Sequence, residues 1–267
     1  MPTGQTPNPR TAVRSAAVWR STDLADASEW TVILSDGERR EIVEAVRAAR
    51  GAGVAITTVD AASFPLPTLA SRATEWSALL NEGRGFLLLR RFPVDLLEDA
   101  DVELAYIGLG THLGNPVGQD REATVLGHVR DEGVERTHPG VRFYRTRERQ
   151  DFHADGADLV GLLCLHRART GGESRIVSSA ALYNELLEAI ANDPAFYLEM
   201  DFQPGDVQFL NNARILHARE AYEDGDDPDQ RRHLLRLWLA AHHFTSVDEL
   251  LQGGIPRQQP APDEDPA

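Results

Sequence analysis

The sequence predicts a mainly β protein with α, a double-stranded β-helix (jelly roll) core flanked by N-terminal helices. Three observations lead there. Up to residue 112 the chain reads as rich in helix, with apolar positions at helical spacing over 69–81. After the turn LGNPVG the chain breaks into short apolar or alternating segments punctuated by Gly, Pro and Asn, the habit of a β-sandwich or jelly roll. The 267 residues hold no Pro/Gly/Ser linker between their tails, which suits a single domain with a sizeable core.

Taken in order, residues 1–15 are rich in Pro, Thr, Asn and Gly and read as a disordered tail, as do residues 249–267, leaving 16–248 as the domain. Residues 30–34 suit a short strand. Asp36 is placed to cap a helix over 38–50, ended by Gly51. A second helix fits 69–81. Gly85 opens GFLLLRRF, a buried strand closed by Pro93, and 96–112 read as helix. Beyond the turn, VRFYRT, the apolar run 159–165, SRIVSS, DVQFLN and HLLRLWLAAH read as strands, interrupted by one helix over 181–191. The acidic run EDGDDPD at 223–229 reads as a solvated loop between the last two strands.

Composition excludes several functions. Acidic residues outnumber basic ones 42 to 27, for a formal charge of −15, so the basic face of a nucleic-acid binder or a polybasic membrane anchor is not expected. All 27 basic residues are arginine, which excludes Schiff-base and P-loop lysine chemistry. One cysteine, Cys164, permits no intrachain disulfide and no multi-cysteine metal site; its apolar surroundings predict a buried, inert thiol. That apolar run is far too short to span a bilayer, and the first residues lack a charged-then-apolar signal pattern. A cytoplasmic location is expected. The sequence leaves oligomeric state open, with a homo-oligomer admitted.

The segment richest in chemistry is Asp151-Phe-His153-Ala-Asp155-Gly. His and Asp two apart at a strand end project to one side and both reach one metal ion. His217, in NNARILHARE, is the candidate third ligand. Two histidines and a carboxylate make the facial triad of non-heme iron(II) oxygenases, which leaves positions open for a cosubstrate and O2. A His-x-Asp in an acid-rich chain with nine histidines is weak by itself. Arg232 and Arg236 strengthen it. They lie four apart in a predicted strand, so on one face, amid Leu234, Leu235, Leu237 and Trp238. An arginine fork binds a carboxylate through two parallel hydrogen bonds, so the site suits a dicarboxylic keto acid, chelating iron at one end and paired with arginine at the other.

Together these residues resemble the TauD/TfdA family of iron(II)- and 2-oxoglutarate-dependent dioxygenases, which have a cupin-like jelly roll. The matching pieces, in the family's order, are His153-Ala-Asp155, Gly171-Gly172-Glu-Ser174, Pro204-Gly205-Asp206, Asn212 to His217, and Arg231-Arg232-x-x-x-Arg236; with GRGFLLLRRFP the resemblance spans roughly 30–245. It implies that His153, Asp155 and His217 bind Fe(II), that Arg232 pairs with the distal carboxylate of 2-oxoglutarate, and that Ser174 stands where the family commonly has a threonine hydroxyl on that carboxylate. Arg236 falls where some members contact an anionic substrate; a structural ion pair or a second cosubstrate contact are the alternatives. Asn115 and Gln119, with His112, lie around a turn that either lines the pocket or is merely structural. Tyr144, with Arg145 and Arg149, either contacts substrate or belongs to a solvated face. The implied reaction hydroxylates a small molecule, possible desaturation aside, and releases succinate and CO2.

One departure concerns spacing. His217 follows His153 by only 64 positions, and in the family this interval is usually longer, holding a lid and jelly-roll strands. The shortfall falls near Asn184 to Leu186. Either the chain lacks the segment, or residues are omitted from the sequence there. Omission is favoured, because losing paired strands would strand backbone hydrogen-bonding groups while the flanking motifs are intact. The short interval also supports an alternative class, a catalytically impaired jelly-roll protein that binds a metal or small molecule. A zinc hydrolase on the same triad is a third, which gives the paired arginines no role.

Overall fold

The computed structural model describes residues 13–120, 122–133, 145–185, 194, 196–226 and 231–241. The tails, most of VRFYRT with Tyr144, the end of the predicted helix over 181–191 and part of the acidic run lie outside the described residues.

Helix α1 (Asp36–Gly51) begins with a capping box. Ser35, not Asp36, is the N-cap: its hydroxyl accepts from the Glu38 amide at 3.3 Å, and the Glu38 carboxylate accepts from the Ser35 amide at 2.8 Å. Asp36 instead pairs with Arg91 at 2.5 Å. Helices α2 (Leu69–Asn81) and α3 (Asp99–Gly110) match the helical spacing of their segments. The predicted turn at LGNPVG contains a short strand, β3 (Gly114–Pro116), paired with the last strand; local turn chemistry did not reveal that non-local partner.

The larger sheet takes β1 (Thr31–Ile33), β2 (Phe86–Arg90), β10 (Val207–Asn211), β6 (Leu159–His166), β13 (His233–Ala241) and β3 in that order, with β4 (Leu126–Val129) also on β13. Only β1 and β2 run parallel. The smaller sheet is antiparallel, in the order β5 (Gln150–His153), β11 (Ile215–Arg219), β8 (Ser174–Ser178), β9 (Tyr197–Met200). A two-residue pair, β7 (Thr170–Gly171) with β12 (Tyr222–Glu223), closes one end of the acidic run. The sheets are jelly-roll sheets that do not close into a continuous barrel.

Alternation along the strands gives the larger sheet two different faces. Leu87, Leu89, Phe209, Leu163, Leu235 and Leu237 pack with α1, α2 and α3 in the main core. The intervening Phe86, Leu88, Leu210, Cys164 and Leu234 meet Ile176, Ile215 and Met200 of the smaller sheet, with Trp19 and Trp30. Gly161 of β6 is needed where α3 crosses: a Cβ there would lie 2.5 Å from the Tyr106 hydroxyl.

The short interval between the histidines is accommodated without bare edges on β8, which pairs with β11 on one side and β9 on the other.

Candidate metal and cosubstrate site

The site forms where the two sheets face each other beyond their apolar cluster. In β5 and β11, His153 and His217 are direct cross-strand partners, so their side chains fall on one face and their ring centroids stand 4.3 Å apart. Asp155 follows β5. Its backbone is pinned by Asn212, whose amide group accepts from the Asp155 N–H at 3.3 Å and donates to the carbonyls of Asp155 and Ala157 at 2.9 and 2.7 Å. One ligand atom from each of His153, Asp155 and His217 lies within 4.8 Å of the other two.

The donor set suits a divalent metal. The Nδ1–H of His153 donates to the Asp151 carbonyl at 2.9 Å, because a carbonyl can only accept. That fixes the tautomer and leaves the Nε2 lone pair facing the cavity, where the Gln150 amide is 3.1 Å away. Burial, reinforced by the neighbouring His153, pulls His217 down to about 4, so it is a neutral imidazole near pH 7, the form a metal requires. Asp155 Oδ2 accepts from the Trp238 indole N–H at 3.0 Å and lies 3.5 Å from Arg236 Nη1, so one carboxylate oxygen is oriented by the protein.

A cavity extends from these ligands, lined by His153, His217, Ser174, Arg219, Arg232 and Arg236 among others. Its lining includes three arginines and neither aspartate nor glutamate. Arg232 is 5% exposed and its Nη1 is buried with no hydrogen-bond partner. Burial, then the charge of Arg219, lowers it to about 10. It remains a cation near pH 7, with no carboxylate paired to it among the described residues. Ser174 donates its hydroxyl to the Gln208 side chain at 3.2 Å. Gly172, at φ +79°, gives Arg232 its clearance: a Cβ would lie 2.9 Å from Arg232 Cδ and Nε, and 3.1 Å from Tyr222 Cβ.

The predicted residues thus separate. His153, Asp155, His217, Ser174, Arg232 and Arg236 converge. Gln119 reaches the site indirectly, its Oε1 accepting from Arg236 Nε and its Nε2 donating to the Arg236 carbonyl, both at 2.8 Å. Asn115 is exposed on edge strand β3, opposite Ala240, and does not line the cavity; His112 bonds the Phe64 carbonyl at 2.9 Å. Tyr144 is outside the described residues. Cys164 is buried, its thiol pushed up to about 12 by burial, as inert as its surroundings predict. Sequence reasoning missed Arg219 and Trp238 as site residues. Both lie two positions from residues it selected, His217 and Arg236, and side-chain alternation would have found them.

The family model for taurine catabolism dioxygenase TauD, TfdA family, matches residues 49–190 and 185–238; its two matches meet where the interval between the histidines is short. FR-33289 synthase of Streptomyces rubellomurinus (strain ATCC 31215) is 26% identical over 304 aligned positions, covering 85% of this chain and 90% of that protein. That alignment is longer than the chain, so the relative carries segments this chain lacks. Among solved structures, asparagine oxygenase superposes with a TM-score of 0.61 at 14% identity, over 79% of this chain and 93% of that one. The non-heme iron oxygenase OrfP, in complex with Fe and alpha-ketoglutaric acid, gives 0.58 at 14%, over 79% and 94%. At such identities these two likenesses speak to fold. Among the described residues no helix is long and apolar enough to cross a membrane.

Proposed function

The chain belongs to the taurine catabolism dioxygenase TauD, TfdA family, and from that premise we propose a non-heme Fe(II)- and 2-oxoglutarate-dependent dioxygenase that hydroxylates a small molecule in the cytoplasm. The observation that carries the reading is the pairing of two unmet needs in one cavity. Three metal-competent donors converge at one end, and a buried guanidinium, its Nη1 without a hydrogen-bond partner and with no paired carboxylate among the described residues, lies at the other. A fold neighbour solved with Fe and alpha-ketoglutaric acid supports the same pair of groups.

His153, Asp155 and His217 would hold the iron. Arg232, with Ser174 beside it, would hold the far carboxylate of 2-oxoglutarate. Bound together, iron and 2-oxoglutarate would let O2 act as the oxidant, taking two electrons from 2-oxoglutarate, which leaves as succinate and CO2, and two from a substrate C–H bond, which becomes C–OH, with one oxygen atom going to each product. The protein's part is orientation and exclusion of water. Trp238 and Arg236 hold Asp155 Oδ2, Asn212 holds its backbone, and the apolar inter-sheet cluster closes one side. Excess guanidinium in the lining favours an anionic occupant, a need that the far carboxylate of 2-oxoglutarate meets. The engagement of Arg236 by Gln119 and Asp155 favours an orienting ion pair over a direct substrate contact for that residue.

The test is anaerobic titration of Fe(II) and then 2-oxoglutarate into the apo protein, followed by visible absorbance. A weak charge-transfer band is expected, with affinity for 2-oxoglutarate reduced about 100-fold in Arg232→Ala, the scale of a lost charge-assisted pair. Folded protein that binds Fe(II) yet gives no band with 2-oxoglutarate would overturn the cosubstrate assignment.

A further inference from the structure

We propose that Arg219 is a second cosubstrate-binding residue, forming with Arg232 a two-guanidinium clamp on the far carboxylate of a 2-oxo dicarboxylic acid. This rests on the function proposed above and extends it to a residue outside the recognised motif positions.

Arg219 ends β11, two residues past His217, and is 5% exposed, as is Arg232. Its Nη2 donates to the carbonyls of Thr146, at 2.9 Å, and Glu148. Its Nε and Nη1 are buried with no partner, as is Arg232 Nη1. Three N–H-bearing nitrogens on two buried cations are therefore unmet at one end of one cavity. The two guanidinium groups share the Tyr222 ring, their centres 5.0 and 5.3 Å from its centroid, so the ring sets their relative position.

Neither arginine makes an ion pair with a carboxylate among the described residues. Asp224 accepts from the backbone N–H of Arg232 at 2.8 Å, and Asp131 accepts from the Gly133 N–H at 3.0 Å. Two like charges held together away from water are strongly disfavoured without a counter-ion. A carboxylate has two oxygens and about four acceptor sites, enough for both forks. The Nη2 bonds add a mechanical link: the carbonyls they hold, at 146 and 148, lead directly into β5, which carries His153. One side chain thus ties the carboxylate end of the cavity to the strand that presents an iron ligand.

The competing role is a structural staple acting only through Nη2. Ligand selectivity separates the two. The full chain, loaded anaerobically with Fe(II), is titrated with 2-oxoglutarate and with 2-oxobutanoate, which has the same chelating end and no far carboxylate, reading charge-transfer absorbance. Arg219→Gln is expected to weaken 2-oxoglutarate about tenfold or more and to leave 2-oxobutanoate within about twofold, because the lost contact exists for one ligand only. Arg219→Lys, which keeps the charge and loses the fork, is expected to fall between, and it carries the comparison if the glutamine variant does not fold. Equal weakening of both ligands, or of neither, overturns the clamp in favour of the staple. No 2-oxoglutarate-dependent band in the parent protein overturns the underlying cosubstrate reading itself, a result distinguishable before any variant is made.

Discussion

On β13, Leu235, Leu237 and Leu239 turn to the helices and are fully buried in the main core, while Leu234, Arg236 and Trp238 turn to the smaller sheet. On that second face the chemistry changes along the strand: Leu234 joins the apolar inter-sheet cluster, and Arg236 and Trp238 reach Asp155. The same contrast holds on β10, where Phe209 faces the helices and the fully buried Gln208 faces Ser174. One face of the larger sheet holds the fold together by dry packing. The other gives up part of that packing to keep buried polar groups aimed at a cavity. Damage to stability and damage to chemistry should therefore be separable one residue apart on a single strand.

The sharpest break should come from the polar side. Asp155→Ala is expected to reduce 2-oxoglutarate turnover to background and iron affinity about 100-fold or more, measured by succinate release and metal titration. The melting temperature of the metal-free protein should move by no more than a few degrees. Full activity would remove Asp155 from the ligand set. On the helix side, Leu235→Ala should cost about 2–5 kcal/mol of unfolding free energy in denaturant titration, while the folded fraction binds iron as the parent does. A matching loss of metal affinity would erase the separation between faces. Trp238→Phe keeps the ring beside Arg236 and deletes the N–H to Asp155. It should lower metal affinity about tenfold with a stability change near 1 kcal/mol or less, and unaltered affinity would show that Arg236 alone orients the carboxylate.

The smallest effect sits at the strand's first residue. His233 is pulled to about 4 by burial and by the neighbouring His128, Arg130 and His166. The folded chain keeps it neutral at pH values where the unfolded chain already takes up a proton. Its stabilising contribution is therefore whole above about pH 6.5 and is lost progressively as pH falls toward about 4, softened by solvent screening of a partly exposed ring. His233→Gln should flatten that part of the stability profile; an unchanged slope would exclude His233 as its source.

Much of this arrangement was legible before any coordinates. Helices α2 and α3 and strands β6, β10 and β13 have strong local patterns, and His153, Asp155, His217 and Arg232 belong to an ordered motif set. What escaped the sequence is non-local. β3 exists because β13 offers it a partner, and β7 and β12 are two residues each, too short for any period. Gln119 belongs with Arg236 through a bond across 117 positions. Arg219 looked like any polar residue in LHARE, since the carbonyls that hold it come from another segment.

Gly172 has a bearing on how such a chain can vary by descent. The address of the Arg232 charge depends on a residue that contributes no atom to binding it, since any side chain at 172 would occupy the space of Arg232 and Tyr222. Positions 172, 222 and 232 then form one inheritable unit. A lineage that replaces the glycine should be found to have altered the tyrosine or the arginine as well, and the trace of the anion site in related sequences should be a covarying triplet, visible even where the iron ligands are unchanged.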